Sequence, residues 1–224
     1  MARARGSAIT AASGVSTFAL LFLLVSAPAL AGEVRVQVVD GDGHPVENVA
    51  IVIRGLDGDV EHPEPGEAVV DQVDQEFVPP AIVIPVHTRV RFPNNDDIRH
   101  HVYSFSEAKS FELALYEGEP ARPIAFPNPG IVAIGCNIHD WMRAHIYVVD
   151  SPWHGLTDGD GVFEMSGLPV GSYRVEAWHH GLVDERQAAD EFALDAGVVA
   201  EVEVAVDIEA APAPRRSPRD RRYR

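Results

Sequence analysis

The stretch Gly135-Cys136-Asn137-Ile138-His139-Asp140-Trp141-Met142 sets a thiol, an imidazole and a thioether within seven residues. On either side lie short apolar runs, Ile131 to Gly135 and Ala144 to Val149. Both are rich in β-branched residues and too short for helices, so the chemistry sits in a loop between two strands. Upstream, Asn94-Asn95-Asp96-Asp97-Ile98-Arg99-His100-His101 has the composition of a turn and leads into a further strand-like run, His101 to Phe105. A second imidazole therefore arrives from a second turn of the same β-scaffold.

The pattern continues outward in both directions. No segment after the first thirty or so residues keeps a helical period. Val- and Ile-rich runs instead alternate with Gly, Pro and Asp clusters, which predicts an all-β protein of sandwich type. Strands are expected at Val34 to Val38, Val49 to Ile53, Val69 to Val73, Ala81 to Ile84 and Arg89 to Phe92. Residues 57 to 67 read as a linker. A second turn-rich unit opens at Trp153, with strands at Val162 to Met165 and Arg174 to Trp178, a turn over Leu168 to Tyr173, and a final edge-like strand over Val198 to Val206. Asp40-Gly41-Asp42-Gly43 and Asp158-Gly159-Asp160-Gly161 lack the remaining ligands of an EF-hand loop and read as tight turns.

The ends differ from the middle. Arg3 and Arg5, the apolar run Phe18 to Val25 and the small residues of Ala29-Leu30-Ala31 match a cleaved export signal over residues 1–31, with Gly32 as the first mature residue. Loss of those two arginines would take the net charge from −16 to −18. So acidic a chain is unsuited to nucleic acid, whose phosphates would repel it. Residues 209–224 contain Arg215, Arg216, Arg219, Arg221, Arg222 and Arg224 behind an Ala-Pro stretch, the composition of a solvated basic tail. It is the one segment whose charge suits contact with a membrane.

Cys136 is the sole cysteine. An unpaired thiol in an exported chain needs burial, an intermolecular partner or a metal to survive an oxidising compartment. Two histidines and a thiolate with a weak axial methionine form the ligand set of a blue-copper electron-transfer site. His100, Cys136, His139 and Met142 supply that set. Zinc could take the histidines and the thiolate but would not call for Met142. A dinuclear centre bridged by two thiolates is excluded by the single cysteine.

These residues resemble those of the cupredoxins, in particular the plastocyanin–amicyanin type. The Cys-x-x-His-x-x-Met spacing of Cys136, His139 and Met142 is similar to the short ligand loop of amicyanin. Asn94-Asn95 followed by His100 resembles the segment delivering the first histidine, and Phe77-Val78-Pro79 resembles a strand opening of that family. The resemblance covers residues 68–150 and implies one type 1 copper per chain, single-electron transfer, and no enzymatic activity of its own. It also implies that protein redox partners dock at an apolar patch where His139 reaches the surface. Ile138, Trp141 and Met142 are expected there, with Pro127 and Pro129, although Trp141 could instead pack beneath the loop. Exported chains of this look are often labelled methylamine-utilisation proteins. One position departs from the family: the residue after the first ligand, usually asparagine, is His101, so His100 or His101 could be the ligand, and the spacing favours His100.

Outside that region, residues 32–60 and 153–208 resemble the beginning and remainder of a carboxypeptidase-regulatory-like β-sandwich. One discontinuous sandwich with the copper unit inserted is the favoured arrangement, and two consecutive units the alternative. The leading expectation for the whole is a periplasmic or secreted carrier of single electrons. A copper-delivery protein, or a structural or binding sandwich with a vestigial copper loop, are the competing readings. His179-His180 is the only other adjacent histidine pair and is expected to lie in an exposed loop.

Overall fold

The computed structural model describes residues 31–57, 63–120, 122–182 and 186–208, with the side chains of 186–190 excepted. Of the export signal expected over residues 1–31, all but Ala31 lies outside the described residues, as does the tail expected over 209–224. What is described is all-β.

The chain begins with β1 (Ala31–Asp40) and β2 (Ala50–Gly55). Ten strands follow: β3 (Glu67–Val69), β4 (Asp71–Val73), β5 (Glu76–Val78), β6 (Ala81–Pro85), β7 (Arg89–Arg91), β8 (His100–Phe105), β9 (Ser110–Tyr116), β10 (Ile124–Ala125), β11 (Gly130–Gly135) and β12 (Arg143–Val149). The last five are β13 (Trp153–Leu156), β14 (Val162–Pro169), β15 (Gly171–Trp178), β16 (Arg186–Leu194) and β17 (Val199–Val206). β14 runs on to Pro169 and β15 starts at Gly171, so the turn expected over Leu168 to Tyr173 contracts to Val170. Pairing of β15 with both β2 and β16 extends the strand through residues that read locally as turn formers.

Strand pairing divides the chain into two sets. Among the described residues, β1 and β2 pair only with the last five strands, in sheets ordered β14-β1-β17 and β13-β2-β15-β16. The strands between them form a five-stranded sheet, β6-β12-β11-β8-β9, a three-stranded sheet, β10-β7-β3, and the β4-β5 hairpin. Each set has its own apolar interior. Val34, Val36 and Val38 of β1 alternate inward against Ile51, Ile53, Val175, Val202 and Val204. Val90, Phe92, Phe126, Val132, Ile146 and Val148 fill the other. Strict alternation fits strands with one face in water, as in β1 and β17.

A third cluster joins the two sets. Ala50 and Val52 from β2 and Trp178 meet Ala81, Tyr147 and Val149. β2 and β12 are therefore apolar on both faces, with one face in a sandwich interior and the other in the junction. At its rim, the Arg54 guanidinium binds Asp150 at 2.7 Å and Glu176 at 3.0 Å. The Ser151 hydroxyl donates to the Ile53 carbonyl.

The two Asp-Gly loops are turns of one design. Asp40 Oδ1 accepts the amides of Asp42 and His44 at 2.9 and 2.8 Å. Asp158 Oδ1 accepts those of Asp160 and Val162 at 3.0 and 2.9 Å. Gly161, with φ of 71°, closes the second loop so tightly that a Cβ there would lie 2.6 Å from the Val38 carbonyl oxygen.

Candidate metal centre

Residues 136–142 connect β11 to β12. The pair Gly135–Arg143 closes the hairpin, the Cys136 amide donates to the Met142 carbonyl at 3.3 Å, and the Met142 amide donates to the His139 carbonyl at 3.0 Å. The loop is thereby folded back on itself, with Cys136 and Met142 both in the apolar interior. His100 opens β8, where a register shift against β9 separates the pairs His100–Tyr116 and Val102–Leu113. Bulges of this kind re-aim side chains at sheet ends.

Three of the four sequence-predicted ligands converge. The donor atoms of His100, Cys136 and His139 lie within 4.8 Å of one another. Cys136 Sγ is 3.8 Å from His100 Nδ1 and 3.9 Å from His139 Nδ1. Metal–sulfur and metal–nitrogen bonds of about 2.3 and 2.0 Å, meeting at a trigonal angle, would set S and N about 3.7 Å apart. The donors thus fit a single ion, and their softness suits copper. Met142 is 1% exposed and lies in the same interior cluster as Cys136.

Of the two adjacent histidines, His100 is the one brought to the thiol. Alternation along β8 turns His101 to the opposite face, where its Nε2 meets Glu112 Oε1 at 2.9 Å and its ring lies 5.5 Å from that of Tyr103. His100 is fully buried, and its Nε2–H donates to Asp96 Oδ2 at 2.6 Å. With Nε2 so engaged, Nδ1 is the nitrogen turned toward the Cys136 thiol, and fixing the ring in this way is the usual role of a partner to a ligating histidine. Burial works against a charged His100 ring, but Cys136 and Asp96 together hold its pKa above the ordinary value. Burial likewise opposes ionisation of Cys136. The His100 ring and the backbone amides of His101, Ile138 and His139 outweigh it and lower the thiol's pKa, as a thiolate ligand requires.

His139 is nearer the surface, at 8% exposure, with its ring 5.0 Å from that of His100 and 4.9 Å from that of Trp141. Ile138 beside it is 47% exposed. The apolar patch expected there is smaller than the sequence implied. Met142 is buried because its side chain joins the interior. Pro127 and Pro129 precede β11, at the end remote from Cys136, and a six-residue strand spans close to 20 Å. Trp141 takes the packing role, half-buried with its indole N–H donating to the Gln75 carbonyl at 3.1 Å.

Two contributors were not visible in sequence, Asp96 as the His100 partner and the Gln75 carbonyl as the Trp141 acceptor. The Asp96–His100 spacing of four residues was available, but in a turn it carries no regular meaning. His179 and His180 do not form a plain exposed loop either: the exposed His180 ring stacks on His145 at 3.8 Å, and His179 is half-buried against it at 4.2 Å.

No protein-family model matches the chain, and no curated protein matches it. Among solved structures, the chain is similar to a copper-containing nitrite reductase from Thermus scotoductus SA-01, at 23% identity and a TM-score of 0.35, over 50% of this chain and 28% of that one. It is similar to a purple cupredoxin from Nitrosopumilus maritimus at 20% identity and a TM-score of 0.33, over 37% of this chain and 99% of that one. It is also similar to a variant of amicyanin in its Cu(I) form, at 18% identity and a TM-score of 0.34, over 40% of this chain and 97% of that one.

Proposed function

We propose that this chain is an exported type 1 copper protein that carries single electrons between protein partners, with His100, Cys136, His139 and Met142 holding the metal. The observation that carries the proposal is the convergence of two imidazole nitrogens and one thiol sulfur, from two separate loops, within 4.8 Å. When bound, copper would supply a centre that gains and loses one electron.

The protein's own residues do the rest. Cys136 and His100 are held inside a packed β-sandwich, which excludes water and limits rearrangement between oxidation states. His100 is fixed by Asp96 on its far nitrogen. His139 is the ligand nearest to solvent, so an electron would enter and leave along its exposed edge, with Ile138 offering apolar contact and Asp140 favouring partners with a basic rim. If Met142 completes the set with the three converging donors, all four positions would be filled by protein and none left for a substrate, so the reading is of a carrier rather than an enzyme. We further read residues 32–60 and 153–208 as one sandwich into which the copper unit, residues 68–150, is inserted; the exclusive pairing of β1 and β2 with β13 to β17 supports this.

The test is a visible absorption spectrum of the purified protein during titration with Cu(II). An intense thiolate-to-copper band saturating at one copper per chain is expected. A colourless protein, or weak d–d absorption alone, would sink the electron-carrier reading and leave copper delivery or a structural role.

A further inference from the structure

The candidate ligands come from two loops far apart in sequence, and backbone pairing between β8 and β11 is confined to the single pair Gly135–Tyr103. The His101 amide on the Cys136 sulfur adds one further direct link. A continuous set of contacts also runs between the loops. His100 Nε2 donates to Asp96 Oδ2 at 2.6 Å. The same carboxylate accepts the amide of Asp74 at 2.6 Å through Oδ1 and that of Gln75 at 2.8 Å through Oδ2. The Gln75 carbonyl in turn accepts the Trp141 indole N–H at 3.1 Å, and the Trp141 ring lies 4.9 Å from that of His139. The β4-β5 turn thus sits as a bridge between the loop that carries His100 and the loop that carries His139. Asp96 is the hub, accepting three donors, with its own amide bound to Asn94 Oδ1 at 3.1 Å.

Resting on the copper reading above, we propose that Asp96 is a positioning residue that ties the two ligand loops through the Asp74–Gln75 turn, and that its charge biases the centre toward oxidised metal. The bias follows from Coulomb's law. The Asp96 side chain is 12% exposed and one imidazole away from the site, so its charge is poorly screened. A carboxylate on the far nitrogen of a ligating histidine raises the basicity of the ligand, and Cu(II) carries one more charge than Cu(I). Oxidised copper gains more from that carboxylate than reduced copper does.

The test compares Asp96→Asn and Trp141→Phe with the unaltered full-length chain. In the metal-free proteins, backbone amide exchange at Asp74 and Gln75 reports the tie directly. In the copper-loaded proteins, Cu(II) affinity, Cu(I) affinity and reduction potential report the charge. Asp96→Asn is expected to weaken Cu(II) binding by about 10–100-fold, the range for loss of such a partner. The loss for Cu(I) is expected to be smaller, and a tenfold difference between the two raises the potential by about 59 mV. Trp141→Phe removes a hydrogen bond but no charge, so it should weaken both oxidation states by equal factors. Both variants should speed exchange at Asp74 and Gln75.

Equal losses for Cu(II) and Cu(I) in Asp96→Asn would overturn the charge bias, and unchanged exchange would overturn the tie. If Asp96→Asn fails to fold, Trp141→Phe tests the tie from its other end, and unchanged exchange there overturns it. If the unaltered protein takes up no copper, the electron-carrier reading fails and the charge bias with it. The exchange measurement then decides the tie alone.

Discussion

Met142 is the candidate ligand whose removal should leave the most behind, since it lies on the interior side of a loop already closed by its backbone bonds to Cys136 and His139. Met142→Leu is expected to retain copper and raise the reduction potential, as measured by voltammetry, because a weak axial donor is replaced by none. On the copper reading, Cys136→Ala should remove the blue absorption expected of the loaded protein altogether, and a variant that turned blue would end the assignment. Gly161→Ala sets a positive-φ strain and a 2.6 Å approach to the Val38 carbonyl against a tight turn. A loss of about 1–3 kcal/mol in urea unfolding is expected, with no change in the copper spectrum. The site was legible at this scale where side-chain chemistry alone specified it: thiol, imidazole and thioether at fixed spacing can be read in order along the chain. Asp96 and Gln75 could not be read in that way. Gln75 acts through its backbone, which is the same at every residue, and Asp96 acts across a turn whose shape the sequence does not state. His101 sat beside the ligand in sequence yet on the opposite face, which strand alternation alone resolves.

Among elements, β2 and β12 do more than one job. Their inward residues fill separate interiors, while Ala50, Val52, Tyr147 and Val149 meet in the junction with Trp178. Trp178→Ala should therefore destabilise by about 3–5 kcal/mol, the range for a buried Trp or Phe. It should also split a single denaturation transition into two, as followed by circular dichroism and by the copper band. Coincident transitions in the variant would show that the coupling of the two strand sets does not depend on Trp178. Most strands announced themselves by alternation or by continuous Val and Ile. Those that did not are instructive. β10 and β13 are too short to establish a period, and β5 is half of a small hairpin. β9 alternates, but its residues are at best partly buried, and Glu112 and Tyr116 serve side-chain partners on β8 and at Gln72. β16 is held by pairing with β15, a long-range effect with no local signature.

At the scale of the whole molecule, acid should act first at the histidine stack beside the junction. Burial, then the neighbouring His180, His179 and Arg143, pushes His145 down to about 3, and burial with His180 pushes His179 down to about 4. The ordinary histidine value is 6.5. Between that value and the folded ones the unfolded chain binds protons that the folded chain refuses, so the contribution of these two histidines is full above pH 6.5 and is lost as pH drops toward 3 to 4. Urea midpoints across that window should decline, and His145→Leu should flatten the decline. The pairing of β1 with β17 has a consequence of another kind. These strands run parallel over eight registered positions, from Glu33–Val199 to Asp40–Val206. Tension applied at Ala31 and Val206 would pull them lengthwise past one another, loading all the rungs together rather than unzipping them one by one. Residues 41–198, with both ligand loops, lie outside that line of force. In single-molecule pulling, the first event should be one high rupture of the β1–β17 clasp, and the metal loops should feel no load until it yields.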